Sequence, residues 1–93
     1  MALARVVSFE GVSKERMEEL AREMREGDRP EDLPTTEVVL HDPEAEKSLV
    51  ILFFATEDDY MRGDEVLSAM PADDTPGRRT SVTKYDVPIR MTP

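Results

Sequence analysis

The chain of 93 residues carries 21 acidic and 12 basic side chains, so its formal net charge is −9. A uniformly acidic domain repels phosphate backbones, which argues against nucleic-acid binding. The sequence contains no cysteine, which excludes a disulfide framework, thiolate chemistry and cysteine-ligated zinc. It also lacks Trp, Asn and Gln, so no side-chain amide is present to build an oxyanion hole.

Length and composition predict a single globular domain over residues 1–93, with 39% apolar and 35% charged side chains. The longest apolar run, Leu49 to Thr56, is far shorter than the roughly 20 residues that cross a bilayer, so we expect no membrane segment. Met1 to Glu10 lacks the extended apolar stretch of a signal peptide. These features predict a cytoplasmic protein.

A strand followed by an amphipathic helix opens the chain. Leu3 to Glu10 is rich in β-branched and aromatic residues, which predicts a strand. Ser13 is a good helix N-cap, and Val12 with Met17 occupies the positions of a hydrophobic staple. An apolar stripe at i, i+3, i+4 and i+7 follows, made by Met17, Leu20, Ala21 and Met24. Gly27 is a natural residue to end this helix.

Two further strands are expected in the middle of the chain, at Thr36 to His41 and at Leu49 to Thr56. The charged segment between them, Asp42 to Ser48, is too short for a crossover connection. The two strands should therefore form an antiparallel hairpin.

A second helix and a last strand complete the pattern. Thr56 should cap the helix, with Asp59 three residues later in an acidic first turn. Gly63 lies in the middle of the apolar face, where glycine costs about 1 kcal/mol relative to alanine. Either a close approach to the sheet compensates for this cost, or the helix breaks there. Pro71 ends the helix, and Thr80 to Val87 reads as the last strand.

The element order βαββαβ predicts an α+β, ferredoxin-like fold, with one antiparallel sheet of strand order 4-1-3-2 and both helices on one face. The opposite face would then be bare. Both faces of the third strand are nevertheless apolar, because Leu49, Ile51, Phe53 and Ala55 alternate with Val50, Leu52 and Phe54. One of these sets needs cover from outside the chain, which predicts a homodimer packed through the open sheet face.

The βαββαβ order, the doubly apolar third strand and the junction Phe53 to Asp59 resemble the dimeric α/β-barrel superfamily. Within it, the chain is similar to the antibiotic-biosynthesis-monooxygenase-like group. It shares the junction, and a segment like Pro76 to Val82, with a subgroup of small proteins of unassigned activity. The resemblance implies a barrel built by the two sheets of a dimer. It also implies a ligand cleft in each subunit between sheet and helices.

The chemistries of that superfamily transfer poorly to this chain. Its haem-degrading members use a helix-borne His with an Asn and a Trp, and the second helix here has no His. Its cofactor-independent monooxygenases often use Asn, Trp or His near an aromatic substrate, and only His41 could serve in that role. We expect no cofactor.

His41 and Tyr85 are the candidate catalytic residues. His41 is the only side chain whose ordinary pKa lies near neutrality, which makes it the default general acid or base. The alternative is an exposed histidine at the end of an edge strand. Tyr85 shares a strand face with Ser81 and Thr83, and this face could line a cleft or meet the partner's sheet.

Tyr60, Phe54 and Arg79 are the candidate ligand-binding residues. Tyr60 could stack on an aromatic ligand, although its place on the apolar helix face fits core packing as well. Phe54 would line an apolar cleft. Arg79 and Arg78 form the one adjacent basic pair, which could bind an anion or form salt bridges to nearby aspartates. The acidic residues lack the spacing of a metal site, so we expect no metal.

These observations predict a homodimeric protein that binds a small hydrophobic or aromatic metabolite in a cleft. The alternative is a cofactor-independent monooxygenase or isomerase that uses His41 or a tyrosine. A third hypothesis is a structural dimer without a pocket. An open cleft with His41 or Tyr85 pointing into it would favour the enzyme. A cleft lined by Phe, Leu and Met would favour the binding protein. A filled core between the helices and the sheet would favour the structural dimer.

Overall fold

The computed structural model describes residues 2–26, 36–69 and 76–91. Within these ranges, four strands form one antiparallel sheet and two helices pack against it. The elements, in chain order, are β1 (Leu3–Glu10), α1 (Lys14–Glu26), β2 (Thr36–Asp42), β3 (Lys47–Phe54), α2 (Glu57–Ser68) and β4 (Arg78–Asp86). The predicted α+β class and the element order βαββαβ are confirmed.

The strands lie in the order β2-β3-β1-β4, which reads 4-1-3-2 from the β4 edge. β1 is central and pairs with β3 on one side and with β4 on the other. The register between β1 and β4 shifts by one residue after the Ser8–Ser81 pair, because Phe9 pairs with Arg79. Thr80 is therefore the extra residue of a β-bulge in β4. The predicted hairpin of β2 and β3 is confirmed, and Asp42 pairs with Lys47 at its turn.

The observed elements differ from the predicted ones mainly at their ends. β1 has the predicted bounds. β3 begins earlier, at Lys47, because Lys47 and Ser48 still pair with β2. α2 runs without interruption through the buried Gly63, so the helix does not break there. The predicted helix ends at Gly27 and Pro71 lie outside the described residues.

The core lies between the helices and one face of the sheet. Beneath α2, one cluster of buried side chains consists of Leu3, Leu52, Phe54 and Tyr60. Near the start of α1, a second cluster consists of Val7, Phe9 and Val12, with Met17 packed against it. The even-numbered apolar residues of β3 therefore build the core, and the odd-numbered ones lie on the bare face.

Two predicted local features place the helices on the sheet. The hydroxyl of Ser13 accepts a hydrogen bond from the backbone N–H of Arg16 at 3.1 Å, as expected for a helix N-cap. Val12 and Met17 pack in the same core cluster, which confirms the hydrophobic staple. Val12 is fully buried, so the entry into α1 is fixed to the end of β1.

Gly77 lets the start of β4 pass close to the end of β1. A Cβ atom at this position would lie 2.5 Å from the carbonyl oxygen of Glu10 and 2.8 Å from Cγ2 of Val12. Both distances are far below an ordinary van der Waals contact. The absence of a side chain at Gly77 thus sets how β4 joins the sheet beside Glu10.

Thr56 caps α2, and its removal should lower stability. Its hydroxyl accepts a hydrogen bond from the backbone N–H of Asp59 at 3.1 Å. Because Thr56→Ala leaves this N–H without a protein partner, we expect it to cost about 1 kcal/mol of unfolding free energy, measured by urea denaturation. Thr56→Ser keeps the hydroxyl oxygen, so its free energy of unfolding should stay near that of the unaltered protein. Equal losses in both variants would contradict a capping role.

Candidate functional site

The sheet face opposite the helices, here called the open face, carries side chains from all four strands. The β2–β3 half of this face is apolar along most of its length, between Thr36 at one end and Asp42 and Lys47 at the other; its apolar side chains are Val38, Leu40, Leu49, Ile51 and Phe53. The β1–β4 half has smaller or more polar side chains, which include Ala4, Val6, Ser8, Ser81, Thr83 and Tyr85. Leu40 is 48% exposed and Val38 is 38% exposed. Exposed apolar side chains therefore lie next to one another on neighbouring strands of this face.

A groove of about 480 Å³ lies at one end of the open face. Its residues come from three consecutive cross-strand rungs of the sheet and from the β4 bulge. They include Leu40, Leu49 and Ser8 on the first rung, Asp42, Lys47 and Glu10 on the third, and Thr80. A volume of roughly 300–1,000 Å³ is typical of small-molecule sites. The volume of the groove lies in this range. The groove has an apolar floor, made by Leu40 and Leu49, and a polar rim, made by Glu10, Asp42 and Lys47.

The charged groups of the rim are largely engaged with the protein itself. Nη2 of Arg78 donates a hydrogen bond to Oε2 of Glu10 at 2.6 Å. Oδ1 of Asp42 accepts hydrogen bonds from the backbone N–H groups of Glu44 and Ala45, each at 3.2 Å. In the described part of the chain, no three His, Cys, Asp or Glu side chains cluster as a metal site would require. Glu10 and Asp42 at the rim are thus already bonded within the protein.

His41 borders the groove, but its imidazole is held by the backbone. Its Nε2 lies 2.9 Å from the carbonyl oxygen of Val12. A carbonyl can only accept, so Nε2 carries the hydrogen and donates it. His41 also pairs in register with the buried Ser48, which places its side chain on the helix side of the sheet. The bond ties β2 to the turn before α1, which is a structural role.

Tyr85 lies on the open face, away from His41. It pairs with Ala4 at the end of the sheet opposite the groove, and it is 53% exposed. Its rung is five residues of β1 from the rung of Phe9 and Ser48, which is about 17 Å along the strands. The structure therefore does not bring the two candidate catalytic residues, His41 and Tyr85, together.

Tyr60 and Phe54 lie side by side in the core beneath α2. Their ring centroids are 5.5 Å apart, with the planes inclined by 70° in an edge-to-face arrangement. Both side chains are buried. The structure thus gives these two candidate ligand-binding residues a packing role.

Arg79 is exposed and pairs in register with Phe9, beside the β4 bulge. Of the basic pair, it is Arg78 that reaches the groove rim, through its bond to Glu10. Asp73 and Asp74, the expected salt-bridge partners of the pair, lie outside the described residues. Arg78 is thus the member of the pair that is bonded to a groove-lining residue, and a role of Arg79 in ligand binding stays a prediction.

Arg5 is a buried charge that was not predicted from the sequence. It is 3% exposed, and its Nε donates a hydrogen bond to Oδ1 of Asp64 on α2 at 2.8 Å. Its Nη2 lies 3.5 Å from the hydroxyl of Ser68. The burial of Arg5 could have been predicted from the sequence, since Arg5 shares one face of a strand with Leu3 and Val7. An arginine in that pattern needs a carboxylate on the covering helix.

The environment of Tyr60 predicts a loss of stability at alkaline pH. Burial raises the pKa of its phenol above the ordinary value of 10.0, and the nearby carboxylate of Asp64 raises it further. Between the unfolded and the folded pKa, the unfolded state holds fewer protons, so stability should fall as pH rises above about 10. Tyr60→Phe keeps the ring and should flatten this fall in urea denaturation. An unchanged alkaline slope in Tyr60→Phe would show that another group causes it.

Comparison with known proteins assigns no family to the chain. No protein-family model matches it, and no curated protein matches it in sequence. The features of the molecule that bear on function are therefore the open face and the groove.

Proposed function

We propose that the protein is a homodimer that pairs two open faces and binds a small hydrophobic or aromatic molecule in the groove. The observation that carries this proposal is the position of the groove, which lies at the end of an exposed apolar sheet face. The same surface then serves both association and binding.

The open face supports association because, apart from the Arg90 contact on Phe53, the described residues leave its apolar half largely exposed. Leu49 is 37% exposed, and Val38 and Leu40 are more exposed still. A second copy would cover the same side chains on both subunits, as a two-fold interface requires. A domain of about 93 residues also has a thin core, so burial of a sheet face would add to its stability.

The groove supports ligand binding because its floor and rim differ in chemistry. Leu40 and Leu49 offer an apolar surface, while the hydroxyls of Ser8 and Thr80 lie beside it. A groove in an open surface is wet, and a paired sheet would roof it and exclude water from an apolar ligand. No catalytic step is part of the proposal, because the His41 imidazole is bonded to the backbone of Val12.

A pair of sheets that face each other is also the architecture of the dimeric α/β-barrel superfamily. We propose membership in that superfamily, in its antibiotic-biosynthesis-monooxygenase-like group, on the basis of the βαββαβ order and the apolar open face. One difference is specific to this chain. The groove lies on the open face and not between the sheet and the helices.

Binding can be tested with the fluorescent apolar probe 1-anilinonaphthalene-8-sulfonate. Ser8→Leu adds bulk to the groove floor, and Ser81→Leu adds the same bulk to its cross-strand neighbour outside the groove. We expect saturable binding to the unaltered protein and to Ser81→Leu, and weaker binding to Ser8→Leu, with dimers in all three. Equal probe affinity in both variants would contradict the groove as the binding site.

A further inference from the structure

The segment after β4, residues 87–91, bends across one end of the open face and is here called the arm. The backbone N–H of Val87 donates a hydrogen bond to the carbonyl of Ala2 at 2.9 Å. The guanidinium carbon of Arg90 lies 4.3 Å from the centroid of the Phe53 ring, which is a cation–π contact on the open face. These two contacts hold the arm against its own sheet.

The arm exposes two large apolar side chains on either side of its anchor. Ile89 is 75% exposed and Met91 is 88% exposed, the two highest values among the large apolar residues of the described chain. Arg90, between them, contacts the sheet. Because the arm lies on the open face, side chains that turn away from its own sheet turn toward the space where a facing sheet would lie.

Two simple two-fold arrangements can pair the open faces. If the axis runs along the strands, β2 of one subunit lies over β4 of the other, so the apolar half meets the polar half. If the axis runs across the strands, β2 and β3 lie over their own copies and the strand ends exchange. The second arrangement places apolar residues such as Leu49 and Ile51 on apolar residues, and it is favoured for that reason.

Exchange of the strand ends brings the arm to the groove. The arm lies at the rung of Ala4 and Phe53, and the groove floor lies at the rung of Ser8 and Leu49. These rungs are four residues apart, about 13 Å, on opposite sides of the middle of the sheet. A two-fold axis across the strands at that middle therefore sets the arm of each subunit above the groove of the other.

We propose that the arm of each subunit lays Ile89 and Met91 over the groove of the second copy, so that the ligand site is complete only in the dimer. This inference rests on the homodimer of the proposed function. The sheet alone offers a face of roughly 19 Å by 25 Å, at the small end for a stable interface, and the arms would enlarge the area that is buried.

Disulfide cross-linking between two single-cysteine variants tests the contact directly, because the natural chain contains no cysteine. Met91→Cys is mixed under mild oxidation with Leu40→Cys, or in a parallel sample with Tyr85→Cys, each partner carrying a tag of different size. Only chains from different subunits can cross-link in such a mixture. We expect the mixed covalent dimer with Leu40→Cys to be the major product, and little with Tyr85→Cys.

Each other outcome overturns a defined part of the account. Cross-linking to Tyr85→Cys instead of Leu40→Cys would show that the axis runs along the strands, and the arm would not reach the groove. No mixed product, with dimers present by light scattering, would leave the homodimer in place and remove the arm from the site. A monomeric unaltered protein would overturn the proposed function itself.

The combined variant Ile89→Ser, Met91→Ser provides a second readout that needs no cysteine. Loss of these apolar contacts should weaken 1-anilinonaphthalene-8-sulfonate binding and raise the dimer dissociation constant by about tenfold or more. Met61→Ser is the matched control, since Met61 is an exposed methionine on α2, away from the open face. An effect no larger than that of Met61→Ser would contradict the proposal.

Discussion

Ile51→Lys is expected to convert the proposed homodimer to a monomer. Ile51 lies near the middle of the open face, where it pairs with Val6 on β1 and with Val38 on β2. Near a two-fold axis, each introduced ammonium group meets its own copy and loses its water. We expect dimerisation to weaken by about 3 kcal/mol or more, a factor above a hundred in the dissociation constant.

The matched control for this substitution is Thr83→Lys, on the same rung but in the polar half of the face. It adds the same charge where we expect the interface to be wetter, so the dimer should persist. Size-exclusion chromatography with light scattering distinguishes the two variants, and circular dichroism confirms that both remain folded. A dimeric Ile51→Lys protein, or a monomer from Thr83→Lys alone, would show that the interface lies elsewhere.

Asp64→Ala should destabilise the subunit more than Arg5→Met does. Removal of the Asp64 carboxylate leaves the buried guanidinium of Arg5 without its ion-pair partner, which should cost about 2–3 kcal/mol. Arg5→Met replaces the buried charge with an apolar chain, and the remaining carboxylate is 44% exposed and stays hydrated. The free energy of unfolding of Arg5→Met should stay within about 1 kcal/mol of that of the unaltered protein.

Urea denaturation at one fixed protein concentration measures this asymmetry. Glu65→Ala, at the neighbouring exposed position of α2, accounts for the gain in helix propensity and should change stability by less than about 0.5 kcal/mol. If Arg5→Met lowered the free energy of unfolding more than Asp64→Ala does, the destabilisation could not come from the unpaired, buried guanidinium of Arg5.

The sequence predicted the local structure well where side-chain chemistry acts over a few residues. Ser13 and Thr56 cap their helices as expected, and one of the two apolar sets of β3 builds the core as predicted. The ends of β3 were misplaced because Lys47 and Ser48 belong to the hairpin pairing. Strand pairing is not encoded in the hydrophobicity of a single residue.

The site was predicted less well because it depends on which strands become neighbours. His41 has the chemistry of a catalyst, but the fold places the Val12 carbonyl within reach of its ring. The groove joins Ser8 with Leu40 and Leu49, which are far apart in the chain and carry no motif. Arg5 was overlooked since its partner, Asp64, is 59 residues away.

The mass of the unaltered protein in solution tests the central claim most directly. The chain has a mass of 10.5 kDa, and sedimentation equilibrium at micromolar concentration should give a single species of twice that mass. This follows from the proposed pairing, in which a second copy would cover the apolar side chains that a single chain leaves exposed on the open face. A single species of 10.5 kDa under the same conditions would contradict the account.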